Sequence, residues 1–399
     1  MKRLLSFLLL SFCLFPIAAL PAGARTVQDP TRASSIAAQA PIDHATEEND
    51  CLTAEGVVMP EVSAEAAALC DAVSGRILCG KNETRRLPMA STTKVMTALV
   101  TLESLPLTAV IRIPKEAVGV EGSSVYLRAG DAYTVEALLY ALLLQSANDA
   151  AAALAYAVAG SLPAFAEKMN HRAAELGLSD THFVTPHGLD DPEHYTTAAD
   201  LAKIAAAALE NPDFARIVST RRYLFTTVDH TLPRALVNHN KMLILYDGAV
   251  GVKTGFTKKS GRCLVSAARR DGLLLVSVTL NAPSDWNDHK KMLDYGFAEY
   301  ESRVLAAPGE LTISLPLFNT DGECFVTNRD EIRMTLRRGQ ASPAPAYDIL
   351  PHPTLPQKAG QFAGEVVFGR GDEAISSPMI FTEDLALPKT KKGWFGLFR

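Results

Sequence analysis

Hydrophobic and polar positions change texture several times along the chain. An apolar run at 4–19, broken late by Pro16, follows Lys2 and Arg3 and leads to Ala22-Gly23-Ala24, a small-x-small cleavage pattern. The run is too short and wrongly flanked for a membrane span, so 1–24 reads as a secretory signal peptide. Phe12 is too bulky, and Cys13 too early in the run, for a lipoprotein box. Residues 25–58 are polar, rich in Ala, Thr and Asp, and lack periodicity, the pattern of a flexible mature N-terminus.

From about residue 64 the pattern becomes dense. Residues 66–71 and 75–79 read as the two arms of a hairpin. A helix follows Pro88 and stops at Ser104-Leu105-Pro106. The apolar stretch 135–145, the Ala-rich stretch 149–158 before Gly160, 165–176 closed by Gly177, and 197–209 all carry helical periods. Then come three β-rich runs, 249–256, 262–268 and 273–280, and a helical return at 292–300. Strands at both ends with helices between them predict one antiparallel sheet, joined by the first hairpin and covered by helices. Composition shifts at Ala307-Pro308-Gly309, and the alternating segments beyond it predict a small all-β second domain. The organisation expected is therefore a leader at 1–24, a tail at 25–58, an α/β (α+β) domain at 59–305, a β-rich domain at 306–385, and a basic-aromatic end at 386–399.

Apolar residues make up 48% of the 399 and charged residues 21%, which excludes wholesale disorder. A formal charge of −5 leaves no surplus of Lys and Arg for general nucleic-acid binding. Once the leader is removed, Cys51, Cys70, Cys79, Cys263 and Cys324 remain, with no C-x-x-C pair or His-rich cluster to hold zinc. Cys70 and Cys79 flank Val73-Ser74-Gly75-Arg76. A two-residue turn at Ser74-Gly75 sets them opposite each other; two separate thiols is the alternative, because directly opposed cysteines strain a disulfide.

Three short motifs carry the candidate chemistry. Ser91-Thr92-Thr93-Lys94 puts a hydroxyl and an amine on one helix face at i and i+3. A serine needs a base beside it, and a lysine serves when burial or a second cation depresses its pKa. The blander reading is an N-capping serine with an exposed lysine. Ser146-Ala147-Asn148 interrupts an apolar stretch between two helices; Asp149 capping the second helix is the bland account. Lys253-Thr254-Gly255 lies in a strand, where Gly255 permits close backbone approach and Lys253 and Thr254 offer donors to a carboxylate. Its bland account is a solvent-facing lysine blunting an edge strand.

In this order, S-x-x-K, S-x-N and K-T-G form a trio closely similar to that of penicillin-binding proteins and class A β-lactamases. The sequence resembles the low-molecular-mass penicillin-binding proteins, the serine-type D-alanyl-D-alanine carboxypeptidases, over roughly residues 60–385. Pro88-Met89-Ala90, Met169-Asn170, Thr181-His182-Phe183, Pro186-His187-Gly188-Leu189 and Tyr195-Thr196-Thr197-Ala198 carry the likeness further. A class A lactamase fits less well. Its deacylating E-x-x-x-N has no counterpart, since Glu167-Lys168-Met169-Asn170 has the wrong spacing and a helical setting, and the middle motif is Ser-Ala-Asn.

The resemblance implies a penicillin-binding/β-lactamase-like transpeptidase fold and a Ser91 acyl-enzyme that removes the terminal D-alanine of peptidoglycan stem peptides. Lys94 is implied as the base, with Ser146 passing a proton to the leaving amine. Asn148, Lys253 and Thr254 are implied to hold substrate, Gly255 to bring the strand close, and the Ser91 and Phe256 backbone N–H groups to form the oxyanion hole. No metal or cofactor is implied, and β-lactams are expected to trap Ser91. His239 stands in the region where some relatives place an arginine for the substrate carboxylate, Arg262 is the candidate substitute for that contact, and His187 reads as a structural histidine. Trp394, Phe395, Leu397 and Phe398 among Lys389, Lys391, Lys392 and Arg399 make the C-terminal end an expected membrane-surface anchor. Location outside the cytoplasm follows: the outer face of the cytoplasmic membrane, periplasm or wall. Two alternatives stand beside trimming: a D,D-endopeptidase cutting crosslinks, and a non-catalytic wall-binding scaffold, against which the intact motifs argue.

Overall fold

A computed structural model describes residues 59–386 apart from 232, 319–321 and 350. The expected leader, the tail at 25–58 and nearly all of the basic-aromatic end lie outside the described residues.

The first hairpin forms from β1 (Ala66–Asp71) and β2 (Ile77–Lys81). Its connection is longer than a two-residue turn. The Asp71 carboxylate accepts from the Ser74 hydroxyl at 2.5 Å and from the Val73 and Ser74 N–H groups, which organises the loop before Arg76. A bulge between Leu69 and Cys70 then puts Cys79 opposite Leu69 and Cys70 opposite Ile77. The cysteines are therefore not opposed as the two-residue turn predicts. Cys70 packs in the apolar cluster on one face of the sheet and Cys79 in the cluster on the other.

A 3-10 turn at Ala90–Thr93 leads into α1 (Lys94–Ser104). The short strands β3 (Val110–Arg112) and β4 (Ala132–Thr134) pair with each other. They precede α2 (Val135–Leu144), α3 (Asn148–Ala159), α4 (Leu162–Glu175), α5 (Ala198–Glu210) and α6 (Pro212–Ser219). Every residue of α2 except Glu136 is buried, as a helix apolar all round must be. Thr134, Ser161, Thr197 and Asn211 cap four of these helices through their side-chain oxygens. The hairpin β5 (Arg222–Phe225) and β6 (Arg234–Val237) and the short α7 (Met242–Leu245) follow.

Strands β7 (Ala249–Thr257), β8 (Gly261–Arg270) and β9 (Leu273–Leu280) complete a five-stranded antiparallel sheet in the order β2-β1-β9-β8-β7. The first hairpin thus joins the late strands, as expected. Successive residues alternate between faces: Val265, Ala267, Val276 and Val278 meet α1–α6, while Leu264, Ala268 and Leu275 meet α8 (Asp285–Glu299). That helix begins earlier than its apolar period indicates, because its first turn is spent on polar contacts. Asp288 accepts from both the N–H and the hydroxyl of Ser63, and Asp285 pairs with Arg262.

Beyond it come β10 (Tyr300–Ala306), β11 (Thr312–Pro316), β12 (Glu323–Asn328), β13 (Ile332–Arg337), β14 (Pro345–Ile349), β15 (Phe362–Phe368) and β16 (Ile375–Phe381). β10 pairs with β13, and the others form a sheet in the order β11-β12-β16-β15-β14 around their own apolar cluster. Among the described residues no single helix is long and apolar enough to cross a membrane.

Candidate active site

The site begins with the geometry of one turn. In a 3-10 turn, with three residues per turn, side chains at i and i+3 stand directly above one another. Lys94 Nζ accordingly lies 2.8 Å from Ser91 Oγ, and it donates to the His187 carbonyl at 2.6 Å. Ser91 is half-buried and Lys94 fully buried, so the exposed-lysine account fails. Burial pushes the Lys94 ammonium well below the usual lysine range; the Lys253 charge lowers it further and Asp149 opposes both.

The second motif sits at the break between α2 and α3. Ser146 turns the chain with φ 60 and is buried. Asn148 opens α3, donating its backbone N–H to Ser123 O at 2.7 Å and its side-chain amide to Glu121 O at 2.5 Å. Its Oδ1 is buried with no partner among the described residues, an unfilled acceptor. Asp149 does not cap α3: the capping position is Ala147, with no side-chain bond. The carboxylate instead turns back to the preceding loop, accepting from Ser124 Oγ at 2.6 Å, Leu127 N at 2.9 Å and Val125 N at 3.2 Å. Desolvation explains the choice, because orphaned loop N–H groups in a buried setting cost more than an uncapped helix turn reinforced by packing.

The third motif lies on β7, one of the two edge strands of the sheet. Lys253 is buried and not solvent-facing; its ammonium donates to Thr254 O at 2.7 Å, and burial pushes its pKa down to about 7. Thr254 is half-buried, and the Phe256 side chain is exposed. A Cβ added at Gly255 would stand 3.1 Å from each of Met89 O, Ser91 N and Thr92 N. The strand therefore lies directly against the turn that carries Ser91, an approach that a Cβ at this position would crowd.

Arg262 does not reach this site. It donates both ways to the Asp285 carboxylate, at 2.8 and 2.9 Å, and lies over Trp286, so its expected part in carboxylate binding is withdrawn. His239 stays close enough for burial and the Lys253 charge to lower its imidazole pKa. His187 accepts weakly from Leu189 N through its ring, and burial followed by the Lys94 and His194 charges drives its pKa to about 3. Its carbonyl, and not its ring, meets Lys94.

Two parts of the site escaped the sequence reading. The turn at Glu121-Gly122-Ser123 holds Asn148, and Gly122, with φ +94, leaves no room for a Cβ, which would stand 2.7 Å from Asn148 Nδ2. Its turn-rich composition marks a loop but not what the loop grips. His194 meets Thr93, 101 residues away, and adjoins Tyr195-Thr196-Thr197-Ala198 without belonging to any motif.

A family model described as D-alanyl-D-alanine carboxypeptidase matches residues 53–284, which include all three motifs. The chain belongs to the D-alanyl-D-alanine carboxypeptidase family. It is 30% identical over 399 residues to the carboxypeptidase DacF of Bacillus subtilis, spanning 96% of this chain and 95% of that one. To DacC of Escherichia coli it is 32% identical over 360 residues, spanning 85% and 88%. The structure of penicillin binding protein 5 from Haemophilus influenzae matches with a TM-score of 0.67 at 28% identity, covering 83% of this chain and 100% of that one. This carboxypeptidase is thus a serine-type hydrolase of the terminal D-Ala-D-Ala bond of peptidoglycan stem peptides, on the penicillin-binding protein fold.

Proposed function

We propose that Ser91 is the nucleophile and Lys94 its base. The supporting observation is the 2.8 Å contact between Ser91 Oγ and an amine that burial holds well below its usual pKa. Neutral Lys94 takes the hydroxyl proton as Oγ bonds to the carbonyl carbon of the penultimate D-alanine. The carbonyl oxygen gains the charge and meets the Ser91 and Phe256 N–H groups. The C–N bond then breaks. Ser146 passes its proton to the leaving nitrogen and is reprotonated from the Lys94 side. Water, deprotonated by Lys94, hydrolyses the ester and restores Ser91.

Lys253 in its cationic form, with Thr254, holds the terminal carboxylate. The unfilled Asn148 Oδ1 accepts from the substrate amide. Residues 59–305 act as the catalytic domain, 306–385 as an appended β domain, and the end at 386–399 as a membrane-surface anchor; the leader at 1–24 directs export. The pairing of basic and aromatic residues in that end supports anchoring.

The test incubates residues 25–399 with a stem pentapeptide ending in D-Ala-D-Ala, beside Ser91→Ala. Mass spectrometry should detect loss of one D-alanine in the first and none in the second. A Ser91→Ala protein that still releases D-alanine refutes the assignment of the nucleophile. Separation of crosslinked dimers without release from the pentapeptide marks an endopeptidase instead.

A further inference from the structure

We infer that His194 is a positioning residue that sets the nucleophile turn through the Thr93 hydroxyl. The inference rests on Ser91 being the nucleophile. Val184 N–H donates to His194 Nδ1 at 2.9 Å. A backbone N–H can only donate, so Nδ1 carries no proton and the proton sits on Nε2. Nε2 lies 2.7 Å from Thr93 Oγ1 and donates to it. Thr93 Oγ1 has one proton and sends it to Ala90 O at 2.8 Å. The directions of all three hydrogen bonds are thereby fixed, from the 181–196 segment into the residue before Ser91.

Ala90 is where such a tie matters. Its φ is 47, in the left-handed region that a non-glycine residue adopts only when its surroundings hold it there. That conformation decides how the chain enters Ser91, and so where the Ser91 N–H and Oγ point. Gly188 packs against the same carbonyl and hydroxyl: a Cβ there would stand 2.0 Å from Ala90 O and 2.7 Å from Thr93 Oγ1. Further contacts fix the segment against α1, since Thr97 donates to Pro186 O at 2.6 Å and Lys94 to His187 O. Burial lowers the His194 pKa to about 4, which keeps the ring neutral and the chain of donors intact.

The two nitrogens can be tested separately. The oxygen of Asn reaches the place of Nδ1, and the amide NH₂ of Gln the place of Nε2. His194→Asn therefore keeps the acceptor for Val184 and loses the donor to Thr93; His194→Gln does the reverse. Acylation by a fluorescent penicillin and D-alanine release are measured on the full mature chain, with the thermal midpoint of every variant. His194→Asn should slow acylation about tenfold or more, in kcat and not KM, since displacement of a reacting group by a fraction of an ångström carries that order of loss. His194→Gln should stay within about threefold of wild type even where its thermal midpoint falls as far.

Thr93→Val should match His194→Asn, the double variant should be no slower than either single one, and Thr93→Ser should keep the wild-type rate. If His194→Gln does not fold, the Thr93 pair decides alone. Equal losses in Asn and Gln, losses that follow the thermal midpoint, or additive effects of Thr93→Val and His194→Asn overturn the inference. Penicillin labelling of Ser91→Ala overturns the nucleophile assignment itself. An inert Ser91→Ala beside wild-type rates in His194→Asn overturns only the part given to His194.

Discussion

Replacing Gly255 by alanine should damage catalysis far more than folding. The added Cβ would stand 3.1 Å from Met89 O, Ser91 N and Thr92 N. All three atoms are backbone, so none can swing away as a side-chain tip can. Either β7 or the nucleophile turn must yield by a few tenths of an ångström. For stability, crowding of this kind costs about 1–3 kcal/mol, and restricting the unfolded chain returns about 0.4–1 kcal/mol. The net loss is about 0–2.5 kcal/mol. The oxyanion hole proposed from the Ser91 and Phe256 N–H groups straddles this contact, and complete loss of one such donor costs about 2.7–4 kcal/mol. Partial widening should cost about 1–2.5 kcal/mol, between about fivefold and seventyfold in rate. Acylation by a fluorescent penicillin and D-alanine release report the catalytic loss, and the urea midpoint reports stability. Acylation within twofold of wild type in a folded Gly255→Ala protein would refute the placement of the oxyanion hole between β7 and the turn.

The pH dependence of kcat/KM should be bell-shaped. Activity rises as Lys94, lowered by burial and by Lys253, loses its proton, and falls as Lys253 loses its own at about 7. Saturating substrate should move the basic limb upward, because a bound carboxylate favours the ammonium; a basic limb that survives Lys253→Arg would count against Lys253. Asp149→Ala strands two buried N–H donors, at Val125 and Leu127, and should cost about 2–5 kcal/mol in urea unfolding, with less than 1 kcal/mol arguing against the bracing of that loop. His187 and His194 have folded pKa values of about 3 and about 4, below the unfolded value of 6.5. The unfolded chain therefore binds their protons first. Their contribution is whole above pH 6.5 and declines as pH falls toward about 4 for His194 and about 3 for His187, by up to about 1.4 kcal/mol per unit for each ring. Equal urea midpoints at pH 7 and pH 5 would contradict this.

Features that depend on neighbours along the chain were legible in the order of residues. Ser91 and Lys94 are brought to one face because a single backbone turn sets i above i+3. The hairpin arms, five of the helices and the three late strands follow from local period and capping, and their grouping at the two ends of the domain already pointed to one sheet. What needed the tertiary structure is every feature whose partner is remote or whose environment is set by packing. Burial turns Lys253 from an edge-strand cation into a group with a pKa of about 7. A bulge, not the count of residues between them, puts Cys70 and Cys79 on opposite faces. Arg262 reads the same in sequence whether it faces substrate or Asp285, and only the position of α8 settles the matter. The tie from His194 to Thr93 spans 101 residues, and its tautomer follows from Val184 N–H, a group that no side-chain pattern encodes. Periodicity reports the face a residue occupies; the partner and the dielectric on that face exist only once distant segments have packed.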